Sequence, residues 1–120
     1  MANPLCHWEL MVNDVPRAKR FYSAIFGWQY ADGSPEYTMI DTGAPPGGGL
    51  MQKPRGAPMP ALNTYFQVDS IDKTSRVVVE AGGTMIVPKA EVPGGWFAMF
   101  LDPDGIAVGI FENKPAKEKS

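Results

Sequence analysis

The chain has a single cysteine, Cys6, a single histidine, His7, no excess of positive charge and no long apolar run. One cysteine excludes an internal disulfide, and 120 residues can be stable without one or a structural metal. A domain of this size buries about two-thirds of the surface its unfolded chain exposes, which suffices. A net charge of −2 and a pI near 5.3 argue against a nucleic-acid partner, because phosphate backbones require a clustered excess of Lys and Arg. No segment approaches the roughly 20 apolar residues of a membrane span. Residues 1–6 lack the basic flank and long apolar stretch of a secretion signal. With the lone thiol, this predicts a cytoplasmic protein without membrane or nucleic-acid partners. Gly and Pro, by contrast, are plentiful at 13 and 12 residues, which predicts a loop-rich globular domain.

The chain repeats itself. A shift of 56 positions lays Val12-Asn13-Asp14-Val15 on Val68-Asp69-Ser70-Ile71, Ala18 on Thr74, Phe21-Tyr22 on Val77-Val78, and Gly27 on Gly83. In the first copy, Leu5–Val12 reads as a strand, Asp14 as a helix N-cap and Pro16 as a first-turn residue. Ala18, Phe21, Tyr22 and Ile25 then form a buried stripe, and Gly27 ends the helix. In the second copy, Asn63–Val68 is the strand and Ser70 the cap. Ile71, Thr74, Val78 and Ala81 are the stripe, and Gly82-Gly83 is the stop. Val77-Val78-Val79 favours strand on propensity alone, but the cap, the stop and the repeat favour helix.

Three shorter apolar segments follow each helix. They are Trp28–Tyr30, Tyr37–Asp41 and Gly49–Gln52 in the first copy, and Thr84–Val87, Trp96–Leu101 and Ala107–Glu112 in the second. Turn residues separate them, among them Asp102-Pro103-Asp104-Gly105, which reads as a hairpin turn rather than a calcium loop because it has too few acidic ligands. The expected architecture is α+β: two βαβββ modules, residues 4–54 and 60–113, in one domain spanning 1–113. Lys53–Pro60 is the linker and 114–120 a mobile charged tail.

A βαβββ unit covers one face of its sheet and leaves the other bare, so two units can curl around a shared cleft. Strand alternation assigns Trp8, Leu10 and Val12 to the helix side, and His7, Glu9 and Met11 to the cleft. Likewise Thr64, Phe66 and Val68 go to the helix, and Asn63, Tyr65 and Gln67 to the cleft. Cys6 points away from His7, so the two cannot form a nucleophilic dyad, and Cys6 reads as a buried structural thiol.

His7-Trp8-Glu9-Leu10-Met11-Val12-Asn13-Asp14, Phe21-Tyr22, Phe26-Gly27-Trp28 and the closing Asp102-Pro103-Asp104-Gly105 resemble the vicinal oxygen chelate superfamily. This superfamily contains glyoxalase I, ring-cleaving dioxygenases, and fosfomycin and bleomycin resistance proteins. Gly48-Gly49-Leu50-Met51 and Pro93-Gly94-Gly95-Trp96-Phe97-Ala98 are similar to a bacterial glyoxalase-like subgroup related to lactoylglutathione lyase. The resemblance covers residues 4–113 and implies paired βαβββ modules and a homodimer.

Metal-dependent members hold a cation with ligands at equivalent strand positions of both modules. The resemblance places these positions at His7, Asn63, Gly49 and Gly109. Asn is a poor ligand for a transition ion and glycine has no side chain, so no metal site and no cofactor are expected. If the register slips by two, Met51 faces inward instead, with a thioether unsuited to a hard cation. The two glycines would leave room for a bulkier organic ligand to approach the backbone.

The candidate site is therefore His7 and Glu9 as an acid–base pair, with Met11, Gly49, Met51, Asn63, Tyr65, Gln67, Trp96 and Gly109 as ligand-binding residues. His7 and Glu9 also admit purely structural roles, and Trp96 could pack at a dimer seam instead. Three functions stay open. One is a metal-independent lyase or isomerase acting on a small organic molecule. The second is a non-catalytic sequestering protein of the bleomycin resistance type. The third is a dimeric partner protein whose vestigial cleft is plugged by Tyr65, Met51 or Trp96.

Overall fold

The computed structural model describes residues 2–57 and 59–115, and the expected tail beyond residue 115 lies outside the described residues. Local chemistry sets the helices. The Asp14 carboxylate accepts the Arg17 N–H at 3.0 Å, Pro16 occupies the first turn, and α1 runs Val15–Phe26. Gly27 closes it with a left-handed φ of 69°, a conformation that costs residues with a Cβ. The Ser70 hydroxyl accepts the Lys73 N–H at 3.1 Å and starts α2, Ile71–Glu80. Both caps stand where the sequence places them, and the three-valine run is helical.

Eight strands accompany the helices. β1 (Leu5–Val12) precedes α1, which is followed by β2 (Gln29–Ser34), β3 (Tyr37–Asp41) and β4 (Gly48–Gln52). β5 (Ala61–Gln67) precedes α2, which is followed by β6 (Thr84–Val92), β7 (Gly95–Leu101) and β8 (Ala107–Asn113). The βαβββ order thus occurs twice. The chain divides into two compact units, one of Leu5–Thr64 and the other of residues 2–4 with 65–115.

In the first unit the strand order is β2-β3-β4-β1, with β1 parallel to β4 and β3 antiparallel to both β2 and β4. Ala18, Ile40 and Leu50 form its core, flanked by Trp8, Leu10, Val12, Tyr22 and Trp28. In the second unit the order is β5-β8-β7-β6, with β5 parallel to β8 and β7 antiparallel to β8 and β6. Val68, Ile71, Ala98 and Ile110 form its core, flanked by Met85, Trp96 and Phe100. The Glu112 carboxylate accepts the Ile71 N–H at 2.8 Å, placing negative charge at the positive end of α2.

The structure corrects several expectations. Of the α1 stripe, only Ala18 is buried; Phe21 and Ile25 are 57% and 52% exposed. The sheet faces a narrower arc of α1 than the periodicity suggests. In α2, Ile71 is buried, but Ala81 falls one residue past the helix as its C-cap and is exposed. β6 extends past Val87 to Val92 despite Pro88, with register irregularities on both sides of Val87. Its place at the end of the strand order makes the missing proline N–H tolerable. Lys114, expected in a mobile tail, donates its N–H to Gly94 O at 3.0 Å and pairs with the Glu91 carboxylate at 2.6 Å. At the expected hairpin turn, the Asp102 carboxylate accepts the N–H groups of Asp104 and Ile106 at 2.9 and 2.8 Å, which commits it to the turn. No helix among the described residues is long and apolar enough to cross a membrane.

Candidate functional site

Alternation along three adjacent strands builds the open face of the first unit. Trp8, Leu10 and Val12 pack toward α1, so His7, Glu9 and Met11 project from the other side of β1. Glu9 lies opposite Gly49 and Met11 opposite Met51 in β4, while Met39 of β3 lies on the far side of Gly49. Tyr37, two residues before Met39, belongs to the same face. The result is a floor of three methionines with one imidazole, one carboxylate and one phenol.

The Tyr37 hydroxyl lies 2.7 Å from His7 Nε2, with the two rings 6.2 Å apart between centroids and inclined at 29°. Its ring rests on Gly49, where any Cβ would fall on the phenol. The room expected above Gly49 for an external ligand is thus occupied by the protein's own Tyr37, a residue the sequence reading did not select. The available signal was its parity with Met39 and the absent side chain at Gly49. Gly48, one residue earlier, is shaped from the opposite face: a Cβ there would stand 2.6 Å from the Trp8 indole.

Burial holds the His7 imidazole below its ordinary value of 6.5, partly countered by the nearby Glu9 carboxylate. The ring is therefore neutral at pH 7. Unfolded chain takes up the His7 proton near 6.5, whereas folded chain does so only at lower pH. The stability contributed is complete above that range and is lost as pH falls from about 6.5 through the folded value. His7→Gln is expected to flatten the stability-versus-pH curve as pH falls below about 6.5, measured by urea midpoints. An unchanged slope in that window would count against a buried neutral imidazole. Burial also pushes the Cys6 thiol up, so it stays protonated, in keeping with a structural role.

The other expected site residues are distributed as follows. Asn63, in the part of β5 before the division between the units at Thr64, is buried. In the second unit, Tyr65 is buried and meets Phe97 edge-to-face at 6.2 Å. Tyr65 pairs with Gly109, which pairs in turn with Met99, so these residues share the face away from α2, and Gln67 shares their parity. Trp96 does not belong with them. It packs on the α2 side against the Val68–Ile71–Ala98–Ile110 core, with Lys89 and Lys114 at 5.1 and 5.8 Å over its ring. Alternation in β7 gives the open face to Phe97 and Met99 instead. Two shallow surface grooves, one beside the start of α1 and one between α2 and β6, lie off both open faces.

The fold and this geometry can be set beside known proteins. The family model of the Glyoxalase/Bleomycin resistance protein/Dioxygenase superfamily matches residues 5–110. The chain belongs to this superfamily. CFP32 of Mycobacterium tuberculosis (strain CDC 1551 / Oshkosh), which bears the name of a glyoxylase, is 34% identical over 113 residues, 87% of this chain and 43% of that protein. The anthracycline biosynthesis protein DauV of Streptomyces sp. (strain C5) is 32% identical over 114 residues, 90% of this chain and 41% of that protein. The superfamily chain thus spans less than half the length of these relatives. Methylmalonyl-CoA epimerase from Mycobacterium tuberculosis shares the fold at a TM-score of 0.72 and 14% identity, over 92% of this chain and 88% of that one. A homoprotocatechuate 2,3-dioxygenase variant from B. fuscum does so at 0.69 and 21% identity, over 97% of this chain and 34% of that one.

The cation used by metal-dependent superfamily members does not fit the residues present. Its four expected positions hold one imidazole, one amide and two glycines, and the space at Gly49 is filled by Tyr37. Among the described residues, no three His, Cys, Asp or Glu side chains converge to hold a metal ion.

Proposed function

We propose that this chain binds a small, partly apolar organic molecule on the open face of β1, β3 and β4, where His7 and Glu9 move a proton without a bound metal. The observation that carries this reading is geometric: the chain's one imidazole shares a strand face with a carboxylate on a floor of Met11, Met39 and Met51, and burial holds that imidazole below its ordinary pKa. His7 and Glu9 lie one residue apart on the same face, a Cα separation of about 6.5–7 Å, which a ligand oxygen or a water can bridge. Thioether side chains suit this floor, since they adapt to the outline of an apolar ligand. Superfamily membership and the glyoxylase name of CFP32 favour lyase or isomerase chemistry. DauV, named for anthracycline biosynthesis, suggests a bulky organic compound as the ligand, and the second reading is a binding protein for such a compound that shows no turnover.

Calorimetry and turnover assays with two probes separate these readings: the hemithioacetal of methylglyoxal and glutathione, and an anthracycline. Turnover of the hemithioacetal, lost at least tenfold in both His7→Ala and Glu9→Gln, is the expected result for the enzyme. Saturable anthracycline binding without turnover, weakened by His7→Ala, selects the binding protein. Stoichiometric zinc or nickel required for activity would sink the metal-independent reading, and binding indifferent to His7 would sink the assignment of the site. The proposal keeps the expected homodimer and cytoplasmic setting; sedimentation velocity of the purified chain decides the first and fractionation the second.

A further inference from the structure

Gly49 and Tyr37 form one device. β4 runs between β1 and β3, and its residue 49 lies between Glu9 on one side and Met39 on the other. A side chain at 49 would project from the open face, and its Cβ would fall on the Tyr37 hydroxyl and ring. With hydrogen there instead, the phenol crosses β4 against bare backbone and reaches His7 Nε2 at 2.7 Å. The strand that could carry a ligating carboxylate at 49 carries none, and the neighbouring strand delivers a neutral hydroxyl donor to the same space.

We propose that Tyr37, admitted by the absence of a side chain at Gly49, is the positioning residue for His7 and decides which imidazole nitrogen carries the proton. The phenol is the stronger acid of the two neutral groups, so Oη–H donates and Nε2 accepts, which leaves the ring proton on Nδ1. The hydroxyl fixes the ring in plane and tautomer together, as an orienting partner does for a working histidine. This deepens the reading of the site given above and rests on it for its consequence: a ligand oxygen on this face meets an oriented phenol–imidazole pair where a cation would otherwise stand.

One histidine makes the test direct, because nitrogen-15 spectra of the imidazole need no assignment. At about pH 8, above the ordinary imidazole value, the expected spectrum shows Nε2 as the unprotonated nitrogen. Tyr37→Phe keeps the ring and removes the donor, and is expected to shift Nε2 to a protonated, pyrrole-type resonance. Gly49→Ala is expected to do the same with the tyrosine intact, because its methyl displaces the phenol. The double variant should match Tyr37→Phe, with no further change. Wild-type protein with protonated Nε2, or an unchanged spectrum in folded Tyr37→Phe, would overturn the proposal. Should Gly49→Ala fail to fold, the Tyr37→Phe spectrum still decides. No ligand enters the experiment, so a failure of the proposed binding function and a failure of this pairing are read separately.

Discussion

Leu50→Ala is expected to lower the unfolding free energy by about 2–5 kcal/mol, the usual range for deleting a fully buried leucine. Leu50 is 1% exposed and packs with Ala18 and Ile40 beneath the sheet that carries His7, Tyr37 and Gly49. Truncation removes the transfer energy of its methyl groups and leaves a cavity that two helix-facing strands and α1 cannot close without moving. For a domain whose total stability is about 5–15 kcal/mol, this is a large fraction. Urea denaturation measures it as a lower midpoint at constant slope. Leu62, 61% exposed, supplies the control, since its alanine variant should stay within about 0.5 kcal/mol of the parent. Equal losses at the two positions would contradict the observed core.

Gly95→Ala is the second large effect. A Cβ at this position would run into the Glu112 main-chain oxygen and approach the Phe111 ring to 2.9 Å. The carbonyl is held in place by the β7–β8 ladder, in which Gly95 pairs with Asn113 and Trp96 with Glu112, so it cannot yield as a flexible side chain would. Overpacking of this kind costs about 1–3 kcal/mol, and here it falls on the hairpin that positions Phe97 and Met99. Neighbouring Gly94 is a glycine for a different reason: its φ is +90° and open space surrounds it, so alanine there meets backbone strain rather than collision. Hydrogen exchange distinguishes the two, with protection lost along β7 and β8 in Gly95→Ala. Retained protection there would contradict the collision.

The parts of this protein legible in the sequence are those governed by neighbours along the chain. Asp14 and Ser70 cap helices because a side-chain oxygen reaches an N–H three residues away, an interaction complete within one turn. The alternation of β1 places His7, Glu9 and Met11 opposite Trp8, Leu10 and Val12 for the same local reason, since a pleated backbone turns successive side chains to opposite faces. The internal repeat extended that reading to β5 and to the βαβββ order of both units.

Less legible were the features set by residues far apart in sequence. Trp96 stands on the α2 side because β8 fixes the register of β7, and Phe97 takes the open-face position beside Tyr65. Phe21 and Ile25 satisfy the helical period yet remain exposed, since periodicity defines a stripe but not how much of it a sheet covers.

Composition, caps and alternation alone therefore established a twice-repeated α+β domain with His7 and Glu9 on one face, and the family resemblance added that Gly49 and Gly109 stand at expected ligand positions. Tertiary structure alone decided what occupies the space above Gly49. Tyr37 reaches His7 across an intervening strand, thirty residues away in sequence, and that meeting depends on the pairing of β3 with β4 and of β4 with β1. Strand pairing is a choice of partners among distant segments, settled by the burial of whole faces, and no local pattern in the chain encodes it.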